Sequence, residues 1–244
     1  MQYNDSTFAN GGGIIQRNEM LCSIGAGGIS GDTNLLKQFT MLNNLAYYEI
    51  WMAGLSVDKN NRLDDYNYTD LPDAPITMVL SQADYTLPVA VTSANVATFL
   101  RLKGVYYLLN GNKQYLDQLP DNKSLTTVAG EPYAYYLNGK SIIFDRPFNA
   151  ATLTKYSSLF HVEFQRTVDA FTSADTTQQP SLMETYHDLI PLKASALYLQ
   201  PIDINLANQF DAMFYRRLQL FKRDITMFDD NTPQAITPES VNPL

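Results

Sequence analysis

Apolar positions along the chain change period twice, from helical spacing to short strand-like runs and back again. Leu35, Phe39, Leu42, Ala46, Ile50 and Ala53 recur at steps of three and four, which places them on one face of a helix over about 34–53. Asp32 or Thr33 can cap that helix and Gly54 can end it. Met41, Leu45, Tyr48 and Met52 form a second apolar stripe on the same helix, and Leu36, Tyr47 and Trp51 a third. A helix apolar on several sides must be covered on several sides. In a chain of this length, that predicts burial against neighbouring subunits as well as against its own core.

From Pro75 to about Thr167 the pattern turns to short runs rich in β-branched and aromatic residues. Expected strands are Ile76 to Leu80, Tyr85 to Leu87, Phe99 to Leu109, Gln114 to Leu119, Tyr133 to Leu137, Lys140 to Asp145 and Tyr156 to Arg166. Asn138-Gly139 is a strong hairpin signal, because a two-residue type I′ turn needs positive φ at both central positions. Asn110-Gly111 repeats it between two other runs. Pro132 and Pro147 bracket the first hairpin, where neither interrupts a ladder. These features predict a compact antiparallel β-domain of about five to seven strands.

Helical spacing returns after Pro180. Ser181-Leu182-Met183-Glu184 has the form of a capping box, and Met183, His187, Ile190, Ala194 and Leu197 follow on one face. Pro191 within that pattern predicts a kink or a restart. Asp203 can cap the next helix, whose stripe of Ala207, Phe210, Phe214, Leu218, Phe221, Ile225 and Phe228 is the cleanest in the chain. Arg216, Arg217, Lys222 and Arg223 lie in its C-terminal half, which suits the helix dipole and would also suit an acidic partner; the dipole is the favoured reading.

The N-terminal stretch sets two glycine clusters in a polar surrounding, and the C-terminal stretch has almost no large apolar groups. Gly11-Gly12-Gly13 and Gly25-Ala26-Gly27-Gly28 make residues 1–31 a glycine-rich segment that gains little by ordering alone, and it reads as a flexible N-terminal arm or an ordered loop. Pro233, Pro238 and Pro243 predict an extended tail over 229–244. The expected organisation is α+β: a bundle of long helices drawn from 32–74 and 180–228, carrying a small antiparallel β-domain inserted at 75–179.

The chain has 244 residues, 45% of them hydrophobic, with a mean hydropathy of −0.20. No apolar run is long enough to cross a bilayer, and no basic region followed by an apolar core marks a secretory signal. The single cysteine, Cys22, fits synthesis in a reducing cytoplasm. A net charge of −8, from 17 basic and 25 acidic residues, argues against gripping nucleic acid through its phosphates. An acidic wall could instead let DNA slide past. Sixteen tyrosines and twelve phenylalanines against one tryptophan suit interfaces as well as cores.

The residues that could carry chemistry do not converge. His161 sits in an expected strand and His187 on a helix face, with no Gly-x-Ser-x-Gly elbow, so both read as structural. Cys22 has no basic neighbour to lower its pKa. Zinc would need several Cys or His ligands. Gly25-x-Gly27 opens like a dinucleotide fingerprint, but Ser30 stands at the third glycine position. Asp58-Lys59-Asn60-Asn61-Arg62-Leu63-Asp64-Asp65 imitates a calcium loop, yet Leu63 replaces the required glycine and Thr69 the closing glutamate; it reads as a solvated loop, with calcium binding the alternative. Gly139-Lys140-Ser141 imitates a Walker A motif, but Ala134 occupies its first glycine position and the setting is a hairpin. Asp64-Asp65 and Asp229-Asp230 are sequence neighbours, whereas glycosidase carboxylates face each other across a cleft. No catalytic, cofactor-binding or metal-binding residues are therefore assigned, and no enzyme activity or cofactor is expected.

The order of parts resembles that of the head-to-tail adaptor proteins of tailed bacteriophages, also called connector, neck or tail tubular proteins. The resemblance rests on the helix 34–53, on Asp84-Tyr85-Thr86-Leu87-Pro88, on the hairpin with Gly130, Pro132, Tyr135, Gly139, Ile142 and Pro147, and on Tyr186-His187-Asp188-Leu189-Ile190 followed by Ala194 and Leu197. It covers about 32–228. It implies a non-enzymatic virion protein, assembled in the host cytoplasm, that forms a homo-oligomeric ring, commonly of twelve subunits, below the portal. Such a ring joins portal to tail or nozzle proteins and lines a channel through which DNA passes without sequence-specific binding; no membrane is involved. A tail terminator or another collar protein is an alternative within that class. A tyrosine-rich β-domain that binds a carbohydrate or another ligand is an alternative outside it.

Overall fold

The computed structural model describes residues 1–5, 12–58, 63, 67, 72–87, 99–120 and 126–230, the side chains of 228–230 excepted. The chain divides into two compact units, Met1–Leu63 with Ala170–Leu244, and Asp64–Asp169.

The first unit holds α1 (Ile14–Leu21), α2 (Thr33–Leu55), α4 (Leu189–Leu199) and α5 (Ile204–Asp230). The Asp32 carboxylate accepts the Asn34 and Leu35 amides at the start of α2, and Asp203 does the same for Asn205 and Leu206 of α5. Each cap satisfies amides that have no partner within the helix. Nearly all of α4 is buried, from Leu189 through Ala196 and at Leu199. It packs against α1, α2 and α5. The helix covered on several sides is therefore α4, whereas α2 is covered on one side only. Pro191 marks the expected restart, since the 3₁₀ turn Glu184–Tyr186 ends before it and α4 begins anew at Leu189. Pro191 is the third residue of the helix, where an amide would have no intrahelical acceptor to lose. The Ser181 capping box does not form, because the Ser181 amide donates to the Tyr47 hydroxyl and only a 3₁₀ turn, Glu184–Tyr186, precedes α4.

The glycine-rich N-terminal segment is packed rather than an arm, over residues 1–5 and 12–31. Tyr3 stacks on Phe171 with ring centroids 4.4 Å apart, its amide donates to the Gln178 carbonyl, and its hydroxyl donates to Thr40. Ile14, Ile15 and Ile29 are fully buried. Asn18 donates to Asn43 at 3.0 Å and accepts from Ser195 at 3.1 Å, so α1, α2 and α4 share one buried polar chain. At the far end of α2, a Cβ on Gly54 would stand 2.9 Å from Leu63 and 3.1 Å from Ile225 and Phe221.

The second unit holds β1 (Asp73–Thr77), β2 (Asp84–Thr86), β3 (Phe99–Leu109), β4 (Asn112–Tyr115), β5 (Asp117–Gln118), β6 (Ala134–Asn138), β7 (Ser141–Phe144), α3 (Ala150–Lys155) and β8 (Leu159–Arg166). They form two four-stranded sheets, ordered β1-β8-β3-β4 and β2-β7-β6-β5. Tyr85, Phe144, Phe148 and Phe160 contact one another at ring-centroid distances of 4.9–6.2 Å. Val105, Ile142 and Val162 complete the same core.

These sheets overturn the expected architecture. Among the described residues the protein is α+β with five α-helices and two four-stranded sheets, and its strand-rich part, built on the long β3–β8 pairing, is no small insert on a bundle of long helices. Nor is it wholly antiparallel, since β5 runs parallel to β6. The two Asn-Gly turns also differ. Asn110 and Gly111 both have positive φ, as a type I′ turn requires. In the second hairpin Asn138 pairs with Ser141, so the loop is Gly139-Lys140 and only Gly139 has positive φ, a type II′ pattern. A shift of two residues keeps every side chain on its own face. Periodicity could not choose between these registers. Asp145 clasps the open end of the hairpin by accepting the Tyr133 and Ala134 amides.

Candidate functional site

In the first unit, the face of α2 turned away from the core is exposed and apolar. From residue 41 to 55 of α2 the only exposed residues are Met41, Leu45, Tyr48 and Met52, at 64%, 56%, 43% and 61% exposure. The other two stripes supply the buried side, through Phe39, Ala46, Ile50, Tyr47 and Trp51. The exposed stripe runs about 16 Å along the axis at 1.5 Å per residue. Solvent-facing helix positions normally carry charge. Here there is none, and Glu49 on the flank is turned toward Lys193 of α4.

That flank is fixed by a buried cation. The Lys193 ammonium lies 2.8 Å from Asp211 of α5 and 3.6 Å from Glu49, and sits over the rings of Phe214 and Tyr215. Burial alone would lower its pKa, but the hydrogen bond to Asp211 and the attraction of Glu49 outweigh it and raise the net value. Lys193 thus remains charged and ties α2, α4 and α5 together behind the apolar face.

The second unit carries a polar, aromatic face on the β1-β8-β3-β4 sheet. His161 Nδ1 is 2.9 Å from Asp73, and the His161 ring stacks on Tyr106 at 5.0 Å. Lys113 donates to Glu163 at 2.6 Å, Tyr115 donates to the same carboxylate at 3.1 Å, and Lys113 covers the Tyr106 ring. A His–Asp pair is half of a nucleophilic triad. Among the described residues, no hydroxyl or thiol nucleophile bonds to His161. Burial, with Asp73 adding to it, pushes the Tyr106 hydroxyl up to about 12, and the hydrogen bond to Glu163 raises Lys113 above the usual ammonium range. Neither group can exchange a proton readily near neutral pH. The cluster is a set of satisfied cross-strand pairs.

The remaining candidates are scattered. His187 is buried in the first unit, its Nε2 donating to the Leu182 carbonyl and its pKa lowered to about 4 by burial. Burial likewise pushes the Cys22 thiol up, with a hydrogen bond to Ser195 opposing it. Gly139-Lys140-Ser141 forms a hairpin turn. Asp58 and Leu63 are buried rather than solvated, with the Leu63 amide donating to the Asp58 carboxylate; Asp64-Asp65 and Thr69 lie outside the described residues. The side chains of Asp229-Asp230 and the stretch 231–244 also lie outside them. Among the described residues, no three His, Cys, Asp or Glu side chains are grouped to hold a metal ion, and no helix is long and apolar enough to cross a membrane.

Sequence reasoning missed Glu19. Its buried carboxylate accepts the amides of Gly27, Ile29 and Ser30 at 3.0–3.1 Å, together with the Ser30 hydroxyl. The glycine-rich loop does form an anion-binding set of backbone amides. Its anion is the protein's own side chain. Beside it, a cleft of about 460 Å³ is lined by Gly12, Gln16, Arg17, Glu19, Met20 and Ile24 among others, and Glu19 there is already engaged by the loop amides.

No family model and no curated protein matches the chain. The α2 stripe is the candidate functional site, because Met41, Leu45, Tyr48 and Met52 stand exposed on one helix face.

Proposed function

We propose that the chain is a structural virion protein of a tailed phage, the adaptor subunit of a neck ring that joins the portal to the tail and surrounds the DNA channel. The observation that carries this reading is the exposed face of α2, where Met41, Leu45, Tyr48 and Met52 stand in solvent without a charged residue among them. An apolar stripe of this kind marks a protein interface. A subunit in a closed ring needs such lateral surfaces, and a head-to-tail contact closes the ring when its rotation allows. The acidic balance of −8 supports a channel wall that does not hold DNA.

Mixing the full-length protein with the portal of the phage that encodes it, followed by light scattering and co-sedimentation, tests the reading. A stable complex supports it. A protein that stays monomeric and ignores the portal overturns it.

A further inference from the structure

α5 has a second face that its core packing does not explain. Its buried side is Ala207, Phe214, Leu218, Phe221 and Ile225. On the opposite side Met213, Arg216, Leu220, Arg223 and Met227 follow at steps of three, four, three and four, so they form one stripe. All five are exposed, the apolar three at 52%, 42% and 57%. The stripe is about 21 Å long at 1.5 Å per residue.

Its charge is out of keeping with the chain. The eleven residues from Met213 to Arg223 hold four of the 17 basic residues and none of the 25 acidic ones. Arg217 is engaged with Asp188 and the Thr185 carbonyl. Arg216 is exposed, and Arg223 is exposed with its guanidinium 3.3 Å from its sequence neighbour Asp224. The helix dipole does not account for Arg216 and Arg223. The dipole acts within the last turn, and the last turn of α5 has no basic residue.

We infer that this face docks an acidic amphipathic helix of another protein, one whose apolar side chains alternate with Asp or Glu at the same three- and four-residue steps. Alternation at that spacing is the pattern by which one helix seats side chains between those of another. The arginines add charge complementarity and bidentate geometry for carboxylates. Nucleic acid is the poorer fit, because it offers nothing to Met213, Leu220 and Met227 and would meet the acidic remainder of the chain. A membrane surface is also the poorer fit, since the apolar stripe is one residue wide and interfacial helices present a broad apolar face. The inference stands apart from the ring reading, which rests on α2.

The test uses the full chain and a fluorescein-labelled synthetic helix of about three heptads with Leu and Glu alternating at these steps, read by fluorescence anisotropy. Saturable binding is expected, weakening with added salt and at least about tenfold in the double variant R216E/R223E. Both positions are exposed, and circular dichroism confirms that the variant is folded. Absence of saturable binding, equal binding by the double variant, or tighter binding to duplex DNA or to phosphatidylserine vesicles than to the peptide would each overturn the inference. Oligomeric state is measured on the same samples, so a failure of the ring reading registers separately.

Discussion

Replacing Leu45 and Met52 together by glutamate should abolish self-association while leaving the subunit folded. Full burial of a Leu or Met side chain is worth about 1.5–3 kcal/mol. Leu45 and Met52 still expose 56% and 61% of their surface, so covering what remains contributes roughly 1–1.5 kcal/mol at each position. Their loss removes about 2–3 kcal/mol from a contact, and burying two new carboxylates without partners costs several kcal/mol more. At 1.4 kcal/mol per factor of ten, association weakens at least about a hundredfold. Sedimentation velocity at micromolar concentration reads the change. Urea unfolding should move by no more than about 0.5 kcal/mol, as for surface substitutions outside a core. A double variant that associates like the wild-type protein would refute the assignment of α2 as the subunit contact.

Lowering the pH should destabilise the first unit through His187. Its imidazole takes up a proton near 6.5 when unfolded and only at about 4 when buried. Between those values the unfolded state binds the extra proton, so stability falls as pH drops through that window, by roughly 3 kcal/mol in all. Urea midpoints measured across the window should show that slope, and His187→Gln should flatten it. Glu19→Gln puts an amide NH₂ where Oε2 accepts the Gly27 amide and should cost about 2–3 kcal/mol. Hydrogen exchange should then show faster exchange at Gly27, Ile29 and Ser30, whereas unchanged protection would mean the loop orders without the carboxylate. Gly54→Val should cost about 1–3 kcal/mol in urea unfolding, because Leu63, Ile225 and Phe221 occupy the space its side chain needs; a neutral outcome would mean those side chains yield freely.

What was legible in the sequence had a local cause. Six apolar residues at helical steps place α2 within two residues of its observed ends, and β-branched and aromatic residues give β3 its observed span of Phe99–Leu109. The Met41 stripe was also readable, although its exposure was not. What escaped depended on partners far away in the chain. Residues 1–5 and 12–31 order because Tyr3 meets Phe171 and Gln178, and because one carboxylate, Glu19, gathers the amides of a loop that composition alone would leave open. The Ser181 box is displaced by Tyr47, 134 positions earlier. α3 is six residues long and capped by Asn149, too short to reveal a period of 3.6. The scale of the sheets was missed because β5 has two residues and joins β6 in parallel, which no hairpin signal announces. The candidate site was half visible for the same reason: spacing defines a stripe, but only packing decides which stripe is left uncovered.

Negative-stain electron microscopy of the purified full-length protein, alone and mixed with the portal of the phage that encodes it, tests the proposed ring most directly. The account predicts annular particles with an open centre, formed by the protein itself with a mass that is a whole multiple of 27.5 kDa or added as such a multiple to the portal's own mass, and lost when Leu45 and Met52 become glutamate. Particles of a single 27.5 kDa subunit under both conditions would contradict it.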